Sequence, residues 1–101
     1  MTSKYFLKIQ QKAQHYLYWR PSHKDLGKNG KLIPNRKSVI EECREMQKNI
    51  LQLLQDLSNL RYDKEVGDEA NRLTVQLTQQ RVKLSIMSDV VIRKSKKNKK
   101  D

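Results

Sequence analysis

Few residues of this chain are placed for covalent chemistry, and many are placed to hold phosphate. His15 and His23 are isolated, with no partner at ligand spacing. Cys43 is the sole cysteine and falls on an apolar helical seam, where a thiol is inert packing. It can form no disulfide within the chain, and no Cys/His metal spacing exists. Glu41, Glu42 and Glu45 crowd a helix start, where capping and the helix dipole account for them. No Gly-rich phosphate loop, activated nucleophile or carboxylate pair in an apolar pocket is visible. The pattern is that of a binding and assembly module rather than an enzyme, with no catalytic residue, metal or cofactor expected.

The cations carry the other chemistry. The formal net charge is +11, unevenly distributed. Residues 1–37 hold nine bases against one acid, a net of +8; residues 38–92 hold seven against nine, a net of −2; residues 93–101 hold six against one, a net of +5. A near-neutral body between two basic ends points to a polyanionic partner, nucleic acid first and anionic membrane second. Lys4, Lys8 and Lys12 recur at intervals of four, stacking on one helix face at a small cost in repulsion. Arg20, Lys24, Lys28, Lys31, Arg36 and Lys37 follow in a long loop. Arg93, Lys94, Lys96 and Lys97 open the terminal run. These are the candidate phosphate contacts; the alternative is an ordinary solvated basic surface. Contacts of this kind give salt-sensitive affinity with little sequence preference. Tyr16, Tyr18 and Trp19 stand beside Arg20, where one or two rings left out of the core could stack on unpaired bases.

The elements that must position these groups are helices. In Val39–Leu60 the apolar residues Val39, Cys43, Met46, Ile50, Leu53, Leu57 and Leu60 step four, three, four, three, four, three. Ile40, Leu51 and Leu54 widen that seam enough for more than one partner helix. Ser38 with Glu41 fits a capping box, and Asn35 is a rival cap. Ahead of it, Thr2 or Ser3 can cap a helix over about 3–20 carrying Phe6, Ile9, Ala13 and Tyr16, ended by Pro21. Asn29-Gly30 marks a turn in the connection, with Leu32 and Ile33 pinning it to the body. The third segment, about 64–92, has a seam of Val66, Ala70, Leu73, Leu77, Gln80, Leu84, Met87 and Val91. Asp63 or Asp68 would cap it. The same stretch also alternates as Leu73, Val75, Leu77 and Val82, Leu84, Ile86, which permits a hairpin. The Gln79-Gln80 pair between them lacks the glycine or asparagine of a tight turn, and the heptad phase matches the central helix.

The expected fold is all-α: one domain over residues 1–92, a small antiparallel bundle of three to four helices that self-associates, followed by a disordered Lys-rich tail over 93–101. No run approaches the length of a membrane span and no signal-like segment opens the chain, so a soluble, cytoplasmic protein is expected.

The order of features resembles a known family. His15-Tyr16-Leu17-Tyr18-Trp19 is followed by a loop ending Ile33-Pro34-Asn35-Arg36. A helix with Ile50-Leu51-Gln52-Leu53-Leu54 comes next, then Glu69-Ala70-Asn71 opening a helix through Leu73, Leu77, Arg81, Leu84 and Asp89. Over roughly residues 5–92 this is similar to the accessory variability determinant proteins of diversity-generating retroelements. The resemblance implies a homopentameric barrel that binds a reverse transcriptase and its template RNA and supports mutagenic cDNA synthesis without doing chemistry itself. It implies RNA contacts at Arg36, Lys37, Arg72 and Arg81. The family pattern has a fourth helix ending in an aromatic and basic segment, so here the third segment is either broken in two near Gln80 or the last of three. Two alternatives remain: a basic helical subunit of a larger ribonucleoprotein, and a coiled-coil scaffold with a protein or membrane partner.

Overall fold

The computed structural model describes residues 4–90. They form a small helical bundle of α1 (Lys4–Tyr18), a 3-10 turn (His23–Asp25), α2 (Lys37–Ser58) and α3 (Gly67–Met87). Among the described residues there is no strand, only one isolated bridge between Leu26 and Leu32. The hairpin alternative for residues 73–86 is therefore not what forms. α3 runs unbroken through Gln80.

Each helix buries the middle of the seam its spacing requires, while Tyr16, Val39, Leu60 and Met87 at the seam ends are half-buried against the core. α1 turns Phe6, Ile9 and Ala13 inward. α2 buries Ile40, Cys43, Met46, Ile50, Leu53 and Leu57. α3 contributes Ala70, Leu73, Leu77, Gln80 and Leu84. Full burial of a side chain such as Ile50 or Leu57 contributes about 1.5–3 kcal/mol, so α2 with six such positions is the spine of the core. The start of α2 meets the end of α3. The Cys43 thiol lies 3.4 Å from the Leu84 carbonyl, and the Gln47 amide donates to Ser88 Oγ at 2.7 Å. Arg44 donates to the carbonyls of Ser88 and Val90 at 3.1 and 3.2 Å, satisfying chain-end acceptors that α3 leaves open. α1 packs against both other helices.

The helix ends differ from the sequence expectation for local reasons. α1 ends at Tyr18, two residues before Arg20, because Pro21 drives the preceding residue away from helical backbone. α2 starts at Lys37, with Arg36 as N-cap and no side-chain cap. The Ser38–Glu41 capping box does not form, and Asn35 is not the cap. The turn through Pro34 bonds the Arg36 N–H to the Ile33 carbonyl at 2.9 Å, and the Arg36 carbonyl accepts from Ile40 at 3.0 Å, so Ser38 is already inside the helix. α3 starts at Gly67, three residues later than expected. Asp63 Oδ1 accepts the N–H groups of Glu65 and Val66 at 2.7 and 3.1 Å, which holds that stretch as a turn outside the helix. Gly67 is there for space: a Cβ at this position would stand 2.8 Å from the Arg61 carbonyl oxygen. α3 ends at Met87.

The connection between α1 and α2 is built rather than loose. Gly30 turns the chain at φ +79°, a left-handed conformation that glycine adopts without strain. Leu32 is buried and its N–H bonds the Met87 carbonyl at 2.8 Å, while the Ile33 N–H bonds the Asp25 carbonyl at 2.8 Å. Leu32 alone makes the pinning contact expected of the pair and fixes the basic loop against the end of α3, while Ile33 closes the loop on itself.

Candidate nucleic-acid interface

The cations of α1 are placed by its buried face. With Phe6, Ile9 and Ala13 inside, Lys4, Lys8 and Lys12 are left exposed as a row along one flank. None is paired with an acid among the described residues. Lys24, Lys28 and Lys37 are exposed as well. Lys37 sits in the first turn of α2, which holds no acid. A cation there opposes the helix dipole by about 0.3–1 kcal/mol. α1 likewise has no acid in its first turn, whereas α3 opens with Asp68 and Glu69 as the dipole favours.

Other candidates are already engaged. Arg20 folds back on the end of α1, its Nη1 donating to the carbonyls of Leu17 and Trp19 at 2.9 and 2.7 Å, so it acts as a helix cap. Arg36 lies 3.4 Å from the Asp25 carboxylate. Lys31 lies 3.8 Å from the exposed carboxylate of Asp89, a surface contact worth little.

Arg72 and Arg81 are both exposed on α3, but nine residues at about 100° each place them on opposite sides of the helix. Arg72 borders a cleft with Phe6 and Gln10 of α1. Lys8 and Lys12, two residues to either side of Gln10, lie about 160° around α1 from it. The four positions implied by the family resemblance are thus not gathered into one patch. Arg93, Lys94, Lys96 and Lys97, with the expected tail over 93–101, lie outside the described residues.

Of the aromatics beside Arg20, only Tyr18 is free. Tyr16 and Trp19 are half-buried against the core, and the Trp19 indole N–H donates to Glu42 at 3.1 Å. Tyr18 is 79% exposed and lines a shallow groove with Gln14, Gln76, Gln79 and Lys83 between α1 and α3. Gln80, the polar interruption of the α3 seam, is buried and donates to the carbonyls of Tyr16 and Trp19 at 3.0 and 3.4 Å. It therefore locks α3 to the end of α1 and so positions the aromatic corner.

The remaining reactive groups do not converge. Burial pushes the Cys43 thiol up from its ordinary pKa, against smaller opposing pulls from Ser88, Gln47 and Arg44. Among the described residues no three His, Cys, Asp or Glu side chains are grouped to hold a metal ion. No described helix is long and apolar enough to cross a membrane.

Sequence reasoning missed one feature of α3. Val75, Val82 and Ile86 are 56, 51 and 57% exposed, on the side opposite Leu73, Leu77 and Leu84. The strand-like alternation was the signal: it records a helix with apolar residues on two faces.

Comparison with known proteins supplies no relative: no family model, curated protein or solved structure matches the chain.

Proposed function

We propose that this chain is a non-catalytic accessory protein that binds the phosphate backbone of RNA or DNA. In this reading it acts as an antiparallel, self-associating bundle beside a reverse transcriptase in the cytoplasm, aiding cDNA synthesis. The observation that carries the polyanion part is the placement of cations against their own helices' preference. Lys4, Lys8, Lys12 and Lys37 stand exposed and unpaired with any described acid; Lys4 and Lys37 lie in first turns that hold no acid, and Lys4, Lys8 and Lys12 repel one another at helical spacing. Such an arrangement costs folding free energy and is offset when phosphate arrives. The reverse-transcriptase part rests on the order of sequence features shared with the accessory variability determinant proteins.

The test is a titration of the full chain with single-stranded RNA, duplex DNA and acidic vesicles at two salt concentrations. Polynucleotide affinity that falls steeply with salt is expected, and its absence overturns the reading. Removing residues 93–101 should flatten the slope while leaving helical content unchanged. Stimulation of cDNA synthesis by a reverse transcriptase encoded beside this chain checks the more specific role. A protein scaffold is the second reading, and the apolar outer face of α3 is the observation that favours it.

A further inference from the structure

The outer face of α3 reads Asp68, Arg72, Val75, Gln79, Val82, Ile86, Asp89, with steps of four, three, four, three, four, three. Every one of these residues is exposed. It is a second heptad-spaced face on a helix whose first seam already forms the core, and the described residues leave it unpartnered. We propose that its partner is the same seam of a second copy of this chain, packed antiparallel about a two-fold axis that passes between residues 80 and 81.

The pattern itself selects that occupant. A two-fold at this point sets Val75 against Ile86 of the second copy, Gln79 against its Val82, and Arg72 against its Asp89. Apolar meets apolar in the two Val75–Ile86 layers, the Gln79 amide lies over Val82 at the centre, and opposite charges close both ends. Asp89 lies just past the end of α3 with its carboxylate 81% exposed, so it is available to Arg72 across the axis despite the 3.8 Å contact with Lys31. Parallel pairing in register would instead set Arg72 against Arg72, Gln79 against Gln79 and Asp89 against Asp89, which repels at both ends. A polynucleotide is disfavoured on this face by Asp68 and Asp89.

Size sets the strength. The 21 residues of α3 span about 30 Å, and a strip about 10 Å wide gives about 300 Å² per protomer, below the about 800 Å² of a standard stable interface. Tyr18, which borders the groove containing Gln79, lies at its flank. The dimer is therefore weak and concentration-dependent. An isologous contact of this kind closes at two copies and cannot build a five-membered ring.

This inference rests on the self-association in the proposed function and not on its nucleic-acid contacts. The test is sedimentation of the full chain over a wide concentration range. A monomer–dimer equilibrium is expected in the wild type. Val75→Glu and Ile86→Glu should each raise the dissociation constant by at least about 100-fold, because a carboxylate would be buried in the seam, with helical circular dichroism unchanged. Under mild oxidation, a mixture of Val75→Cys and Ile86→Cys chains should form the mixed disulfide far faster than Val75→Cys alone; Cys43, being buried, does not compete. A wild type that stays monomeric, a ring larger than two, undiminished assembly of Val75→Glu, or equal cross-linking of the mixed and single samples would each overturn the dimer. RNA titration of the wild type is scored separately: absence of salt-dependent affinity there counts against the nucleic-acid reading and leaves the dimer standing.

Discussion

α2 and α3 are nearly equal in length, 22 and 21 residues, and they use their apolar residues in opposite ways. α2 spends almost all of them inward, leaving only Leu51 among its large apolar side chains as much as 42% exposed. α3 divides them, with Leu73, Leu77 and Leu84 in the core and Val75, Val82 and Ile86 facing out. A helix with one apolar face is fully explained by folding. A helix with two is only half explained by folding, and the other half is the face proposed to meet a second copy.

The sharpest way to break this comparison is to place the same charge on each helix. Ile50→Asp forces an unpaired carboxylate into a fully buried site and should cost about 4 kcal/mol or more, enough to unfold so small a domain. Val82→Asp, on the outer face of α3, should leave monomer stability within about 0.5 kcal/mol. Urea unfolding followed by circular dichroism checks both. Near-wild-type helicity in Ile50→Asp would mean the α2 seam is not the core, and collapse of Val82→Asp would mean the outer face is needed for folding.

A finer version uses neighbours of the same type. Gln80 is buried with its amide on two α1 carbonyls, and Gln79 is exposed beside it. Gln80→Leu keeps the volume but strands those acceptors, costing about 1–3 kcal/mol. Gln79→Leu should leave folding unchanged and tighten self-association by extending the apolar seam. Stability measured by urea, read against the sedimentation of each variant, separates the two. Equal destabilisation by both substitutions would dissolve the distinction between the faces.

The fold was largely legible because the decisive signal was periodic. The three-four steps of Cys43, Met46, Ile50, Leu53 and Leu57 name the buried residues of α2 directly, and the same holds for Phe6, Ile9 and Ala13. Even Gln80, the polar member of the α3 seam, was placed on the buried face. What was not legible depends on contacts made across the chain. The Ser38–Glu41 pair is a sound local signal for a cap, but the turn bonded between Arg36 and Ile33 starts the helix earlier. Nothing local to Gly67 announces the Arg61 carbonyl that stands against it in the fold. For the candidate site, cation type and count could be read, but availability could not. Arg20 and Arg36 are drawn onto a carbonyl pair and Asp25 by the folded geometry, and nothing in their sequence neighbourhood separates them from Lys24 or Lys28.

The smallest effect on stability concerns α1, and it tests whether the lysine row exists for folding or for a partner. Replacing Lys4, Lys8 and Lys12 together by Gln removes two like-charge contacts at helical spacing, so the bundle should keep its stability or gain a few tenths of a kcal/mol. If the row meets phosphate, the same variant should bind single-stranded RNA with a salt slope shallower by about 2, since each lost contact removes about 0.7 from the slope. Stability from urea unfolding and affinity at several salt concentrations on the same samples give the two numbers. A destabilised variant would mean the lysine stems pack against the body and need no partner to explain them. An unchanged slope would mean the phosphate contacts lie elsewhere, with Lys24, Lys28 and Lys37 next in line because they too are exposed and unpaired with any described acid.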